Sequence, residues 1–93
     1  MIERYSHKEA SNIWCEQNKF KTWLEVELCV CEALAELGKM PKDVPQRMRK
    51  NAKVKLERIL ELEAVTKHEV VAFVNSVVED LGEDGCYFHM GVT

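Results

Sequence analysis

Three histidines and one arginine–tyrosine pair are the side chains of this sequence best suited to chemistry. His7, His68 and His89 can exchange protons or donate hydrogen bonds near neutral pH. Arg4 and Tyr5 stand side by side and offer a planar guanidinium and a hydroxyl, which suit a phosphate or another anion. Each of these residue types is also common on ordinary protein surfaces, and for His7 we expect no more than that. Whether the other candidates form a functional site depends on the secondary-structure elements that carry them.

His68 has the most informative surroundings of the three histidines. The segment Thr66–Glu69 reads Thr-Lys-His-Glu, a capping-box pattern that predicts the start of a helix. The free backbone N–H groups and the dipole of a first helical turn attract an anion, to which a histidine can add a donor. On a helical wheel His68 lies beside Asn75 and Glu79, away from the apolar side. We therefore expect an exposed ring, which is either an ordinary surface histidine or an anion contact whose affinity falls as the ring loses its proton.

His89 lies near the end of the sequence, in a segment that also contains Gly91. A glycine in a loop lets the backbone approach a ligand closely. The sequence predicts a turn at 83–85 and a loop or extended tail from Cys86 to Thr93. Spacing alone defines no ligand for His89, and a plain loop histidine is the simpler interpretation.

Caps, breakers and apolar spacing predict an all-α domain of about five helices over residues 1–93. The sequence holds only 4 glycines and 2 prolines, which disfavours a fold of strands and tight turns. Ser6 and Asn18 are predicted N-caps, and Pro45 suits a first helical turn. Gly38 and Gly82 are placed to end helices. The predicted helices cover 7–17, 19–37, 45–51, 54–65 and 67–82.

The predicted helix at 19–37 has a wide apolar side that needs covering. Val26, Val30 and Leu37 widen its apolar stripe to about half of the circumference, more than a surface helix requires. Other subunits or other domains would have to cover the excess. Glu27 falls within the stripe, where we expect it to swing outward or to pair with an arginine; a site role is the alternative. The stripe consists of Phe20, Trp23, Leu24, Leu28, Cys31, Leu34 and Ala35.

Charge and composition disfavour several classes of function. The net charge of −3 leaves no basic surplus for a nucleic-acid backbone or an anionic membrane. No apolar run approaches the ~20 residues of a membrane span, and the first residues do not resemble a signal peptide. The sequence has no glycine-rich phosphate loop. The basic residues of the middle segment are expected to form a solvated face; they are Arg47, Arg49, Lys50, Lys53 and Lys55.

The cysteines predict a reduced protein without a zinc site. Their spacing lacks the two-to-four-residue gap of a zinc knuckle, so we expect small thiols in a cytoplasmic protein and neither a metal nor a cofactor. The end at Gly91-Val92-Thr93 has no polar tail, which suggests a truncated chain. The four cysteines are Cys15, Cys29, Cys31 and Cys86.

Several segments, in order along nearly all 93 residues, carry a family resemblance. The most specific is Thr-Lys-His-Glu-Val-Val-Ala-Phe, and the final His-Met-Gly-Val-Thr matches the start of a His-x-Gly-x-Thr-Ser-x-Asp loop. On these motifs the chain resembles the N-terminal segment of the adenylosuccinate lyase family, in the fumarase/aspartase superfamily. It would cover about the first fifth of such an enzyme. The matching segments are 1–6, Trp23–Glu27, Glu57–Glu61, Thr66–Phe73 and His89–Thr93.

The resemblance implies an elimination reaction and a shared active site. Members of the family release fumarate from adenylosuccinate to give AMP, and from the succinylated carboxamide ribotide of purine synthesis. Their catalytic serine and histidine lie beyond the position of Thr93, so this chain is expected to hold no catalytic residue and to be inactive alone. The family is cytoplasmic, forms homotetramers around a helical bundle and uses no cofactor. The implied substrate-binding residues are Arg4, Tyr5, Lys67, His68, Glu69, His89 and Thr93.

The sequence departs from the family at two positions, and two other functions remain open. Glu69 stands where the family usually has aspartate, and Met90 where it often has an aromatic residue. The longer Glu69 side chain could shift a hydrogen bond to His68. The main alternative is a free-standing helical module for protein interaction or dimerisation, with the wide apolar stripe as its docking face. A remote one is a small mutase-type enzyme binding a dicarboxylate through Arg47, Arg49 and Arg58.

Overall fold

The computed structural model describes residues 7–89, and these form four α-helices and one 3₁₀ turn. No strand occurs among them, which confirms the all-α prediction. The number of α-helices is four instead of about five. In chain order they are α1 His7–Glu36, α2 Val44–Asn51, α3 Leu56–Thr66 and α4 Glu69–Leu81, followed by the 3₁₀ turn Gly82–Tyr87.

The difference in number comes from α1, which runs without a break where two helices were predicted. Asn18 is an interior residue and not an N-cap; its carbonyl oxygen accepts a hydrogen bond from Thr22 Oγ1 at 2.9 Å. No glycine or proline lies between residues 7 and 36, and asparagine costs a helix interior less than about 1 kcal/mol. The 30 residues of α1 span about 45 Å. They account for the 48 Å long axis of the molecule.

Gly38 ends α1 as predicted. It adopts a left-handed φ of 78°, which a glycine reaches without steric cost. Its N–H donates to the Ala35 carbonyl at 3.1 Å, and the Lys39 N–H donates to the Leu34 carbonyl at 2.8 Å. This is the Schellman arrangement of a helix C-terminus. Pro45 then lies in the first turn of α2, also as predicted.

The core is built around aromatic rings of α1 and α4. The rings of Phe20 and Phe73 stack with centroids 5.8 Å apart, and Trp23 meets both rings edge-on at 5.2 and 5.5 Å. Phe88, just after the 3₁₀ turn, closes the cluster 6.4 Å from Phe73. Each such aromatic pair adds about 1 kcal/mol beyond the area it buries. The helix and turn that carry functional candidates are therefore fixed to α1 through this cluster.

The predicted apolar stripe is confirmed, and the residues that widen its edge are largely exposed to solvent. Every one of its seven members is buried or packs against the core. Val26 and Leu37, however, are 52% and 72% exposed. Further apolar side chains are exposed elsewhere among the described residues: Trp14, Leu60, Val65, Val70 and Val71.

The basic residues predicted to form a solvated face are exposed or half-buried, but three arginines also join separate helices. Arg49 of α2 bonds Glu25 and Glu32 of α1 at 2.9 and 3.1 Å. The hydrogen bonds from Arg49 lower the pKa of both carboxyls. Arg47 bonds Asp84 at 2.8 Å, and Arg58 bonds Glu79 at 2.6 Å. These guanidinium groups already serve carboxylates of the chain, which leaves the mutase-type arrangement without its anion site.

Candidate functional site

A cavity of about 230 Å³ lies between α1, α4 and the residue that follows Phe88. Its walls are mostly apolar, and its polar side chains are Glu27 and His89. Such a mixture is typical of small-molecule sites, in which a few polar groups orient a ligand within an apolar enclosure. The lining residues are Trp23, Val26 and Glu27 of α1, Val70, Phe73 and Val74 of α4, and His89.

Three residues of α1, at four-residue spacing, connect the cavity to the start of α4. Lys19, Trp23 and Glu27 lie on one face of the helix because residues four apart are neighbours on its surface. We call them the Lys19–Glu27 row, which is distinct from the apolar stripe. Lys19 and Glu27 are separated by about 12 Å along the helix axis. The two polar ends of this row, Lys19 and Glu27, contact different parts of the chain.

At one end Glu27 holds His89. Glu27 is only 4% exposed, and its Oε2 atom is paired with Nδ1 of the His89 ring. An ionised carboxylate only accepts hydrogen bonds, so Nδ1–H of His89 is the donor. The expectation that Glu27 swings outward or pairs with an arginine is wrong. The carboxylate stays inside because a ring 62 residues away in sequence reaches it.

At the other end Lys19 holds Glu69. The Lys19 ammonium lies 2.6 Å from Glu69 Oε2 and 3.2 Å from Glu16 Oε2. It also lies 4.8 and 5.3 Å from the ring centroids of Phe20 and Trp23. Partial burial lowers the pKa of Lys19, but the hydrogen bonds and charges of Glu69 and Glu16 outweigh it and the net pKa is raised. The longer Glu69 side chain is thus bonded to α1 and not to His68.

His68 is the N-cap of α4, two residues later than the predicted cap Thr66 and with a different chemistry. Its backbone is extended, and its Nδ1 atom accepts a hydrogen bond from the Val71 N–H at 3.3 Å. Thr66, the predicted cap, is the last residue of α3. Its Oγ1 atom accepts from the His68 N–H at 3.3 Å. The reason is that α3 runs on to Thr66 and ends at the left-handed Lys67, which leaves no room for an earlier cap.

This cap decides how His68 can meet an anion. Since Nδ1 accepts, the ring proton lies on Nε2, which can donate to an anion while the ring is neutral. Protonation of Nδ1 would remove the cap, so anion binding through a charged ring would compete with the helix start. The prediction that His68 lies outside the core is confirmed, because its side chain is exposed.

The comparisons with known proteins agree with the motifs. No family model matches the chain. Among curated proteins, the adenylosuccinate lyase of Bacillus subtilis (strain 168) is 53% identical over all 93 residues, which is 100% of this chain and 22% of that protein. The chain is homologous to adenylosuccinate lyase. It spans about a fifth of the length of that relative.

Of the site residues predicted for this adenylosuccinate lyase homologue, His89 is the one that lines the cavity among residues 7–89. Val70, in the first turn of α4, lines the same cavity as His89, whereas His68, the N-cap of that helix, is not among the lining residues. Within residues 7–89, no hydrogen bond or ion pair joins the His89 ring to His68 or Glu69. Lys67 is exposed between α3 and α4. The remaining predicted site residues, Arg4, Tyr5 and Thr93, lie outside the described residues.

Two residues of the site were missed from the sequence alone. Lys19 falls within the predicted helix 19–37 together with Trp23 and Glu27, but it was not considered as a site residue. Glu27 was considered but assigned a different contact. The spacing of Lys19, Trp23 and Glu27 along one unbroken helix is the signal that would have grouped them.

The described residues hold no built metal site. Among residues 7–89, no group of three or more histidine, cysteine, aspartate or glutamate side chains could bind a metal ion. In the same part of the chain, no helix has the length and apolar character that crossing a membrane requires.

Proposed function

We propose that this chain forms a substrate-binding part of an adenylosuccinate lyase, an enzyme that releases fumarate from adenylosuccinate and from the succinylated carboxamide ribotide. The identity of 53% over the whole chain is the observation that carries the proposal. The exposed Nε2–H of His68 at a helix start supplies a hydrogen-bond donor for an anionic nucleotide, and the cavity beside His89 offers a mostly apolar pocket.

The proposed roles follow the polarity of each group. Lys67 and His68 act at the start of α4, where unpaired backbone N–H groups favour a carboxylate or phosphate. Glu69 holds this start against α1 through Lys19. His89 acts from the other end of the Lys19–Glu27 row, where it is paired with Glu27. Arg4, Tyr5 and Thr93 complete the binding residues through the resemblance.

The site needs further protein to function. The catalytic serine and histidine of the family have no counterpart in this chain under the resemblance. The exposed apolar side chains, with Trp14 and Val65 at 62% and 80%, suit a covering by the rest of such an enzyme and its sister subunits in a homotetramer. We therefore expect a purified sample of the 93-residue chain to release no fumarate from adenylosuccinate.

A chimera tests the proposal directly. The 93 residues would replace the matching 22% of the Bacillus subtilis enzyme, and fumarate release would be measured. We expect turnover within about tenfold of the unmodified enzyme, a loss of no more than about 1.4 kcal/mol in transition-state stabilisation. A folded, tetrameric chimera without activity would overturn the proposal.

A matched pair of variants in the chimera separates the cap of His68 from its binding role. His68→Asn keeps a good N-cap and removes the ring donor, whereas His68→Gln removes both. If the ring binds substrate, both variants raise KM to a similar extent. Unchanged KM and kcat in both would remove His68 from the site.

The alternative, a free-standing interaction or dimerisation module, uses the same exposed apolar residues. It predicts that the isolated chain self-associates through them and that the chimera stays inactive. Sedimentation of the isolated chain, beside the activity of the chimera, therefore separates the two functions.

A further inference from the structure

Glu27 is the only charged side chain that lies buried among residues 7–89. Placing a carboxylate in an apolar stripe is costly unless hydrogen bonds satisfy it. A leucine at this position would extend the stripe without that cost. Nothing in the packing of α1 against the core requires a charge at this place.

Among residues 7–89, the charge is paired with a predicted site residue. Glu27 is paired with Nδ1 of His89, and both residues line the cavity. His89 itself adopts a left-handed backbone with φ 68°, which is uncommon for residues other than glycine, although asparagine, aspartate and histidine adopt it more often than the rest. A residue held in such a conformation needs surrounding contacts to keep it there.

The pairing also determines which ring nitrogen is available. Because Nδ1–H donates to the carboxylate, Nε2 is the nitrogen left for a ligand. The ring has lost the freedom to turn over, since exchanging the two nitrogens would break the bond to Glu27. The His89 side chain remains 26% exposed, so a ligand can reach it.

We propose that Glu27 is a positioning residue, which fixes the tautomer and orientation of His89 so that the unprotonated Nε2 accepts a hydrogen bond from a donor group of the substrate, such as a hydroxyl or an amino N–H. The inference rests on the proposed function for the identity of the substrate. The geometry of the pair does not depend on it.

The kinetic test uses the chimera with Glu27→Leu, Glu27→Gln and His89→Gln. Glu27→Leu removes the acceptor but suits the apolar stripe, and we expect it to raise KM for adenylosuccinate about tenfold while kcat changes less than about threefold. Glu27→Gln keeps a neutral acceptor and should have a smaller effect. The double variant Glu27→Leu/His89→Gln should be no worse than His89→Gln alone, because Glu27 acts through His89.

The matched control is Glu25→Leu, an exposed glutamate two residues earlier on α1 whose partner is Arg49. We expect its KM to equal that of the parent chimera. Independent, additive effects of Glu27→Leu and His89→Gln would overturn the inference, as would an unchanged KM in Glu27→Leu. With an active parent chimera, either result leaves the proposed function in place.

A spectroscopic test needs no activity. Two-bond ¹⁵N–¹H spectra of the 93-residue chain should show His89 protonated at Nδ1, and Glu27→Leu should abolish that preference. An Nδ1 that carries no proton in the parent chain would contradict the inference. An inactive parent chimera together with the expected spectra would reject the proposed function and keep the Glu27–His89 pair.

Discussion

The His68 ring is held by a backbone N–H three residues along the chain, whereas the His89 ring is held by a carboxylate 62 residues away. One contact is local and depends only on the start of α4. The other is tertiary and exists only when the end of the 3₁₀ turn is packed against α1. The two rings also use Nδ1 in opposite senses, as acceptor in His68 and as donor in His89. Two candidates of the same residue type are thus prepared for different contacts with a ligand.

The largest expected effect comes from the aromatic cluster that both regions share. Phe73→Ala removes a buried ring that contacts Phe20, Trp23 and Phe88, and should lower the free energy of unfolding by about 3–5 kcal/mol. Urea denaturation measures this loss. If the His68 contact is local and the His89 contact is tertiary, the His89 contact is lost before the His68 cap as the urea concentration rises. Simultaneous loss would show that the cap also depends on tertiary packing.

A smaller loss is expected from His89→Ala, which leaves the buried Glu27 carboxylate without its partner. An unsatisfied buried acceptor costs about 1–3 kcal/mol, so the free energy of unfolding should fall by that amount. Adding Glu27→Leu should restore most of the stability, because the acceptor is then gone. Failure of this rescue in denaturant titrations would mean that His89 stabilises the chain by another route.

His68→Ala should cost about 1 kcal/mol, the usual value for the loss of an N-cap. His68→Asn is the control, since asparagine caps well and should keep the parent stability. The same denaturant titrations apply. A loss in His68→Ala as large as that in His89→Ala would erase the energetic distinction between the local and the tertiary contact.

The smallest effect is expected from Lys19→Met, which keeps the aliphatic chain over the aromatic rings and removes the charge. Half-exposed ion pairs contribute about 0.2–1 kcal/mol, so the loss should lie near 0.5 kcal/mol. Since the pKa of Lys19 is raised in the folded chain, this contribution is complete at neutral pH and is lost only as pH rises through the raised pKa. An equal stability of both chains at pH 7 would show that Lys19 contributes nothing to holding α4.

The sequence predicted what is local and periodic. The apolar stripe of α1, the helix end at Gly38 and the exposed His68 all follow from spacing and caps. The break at Asn18 was wrong because a capping residue does not end a helix that has no breaker beside it. The cap at Thr66 was wrong because the end of the preceding helix competes for the same residues.

The long-range pairs could not be predicted in the same way. Glu27 and His89 meet only through the fold, and so do Lys19 and Glu69, which are 50 residues apart. Periodicity places each residue on a face of its own helix but does not name the residue opposite. A buried charge within an apolar stripe shows that a partner must exist, and the structure supplies its identity.

The protonation pattern of the two rings tests the central claim most directly. Two-bond ¹⁵N–¹H spectra of the histidine rings would be recorded near pH 9, well above the free histidine pKa of about 6.5. The account predicts opposite patterns in one sample: a proton on Nε2 but not Nδ1 of His68, and a proton on Nδ1 of His89. The same tautomer on both rings would contradict it.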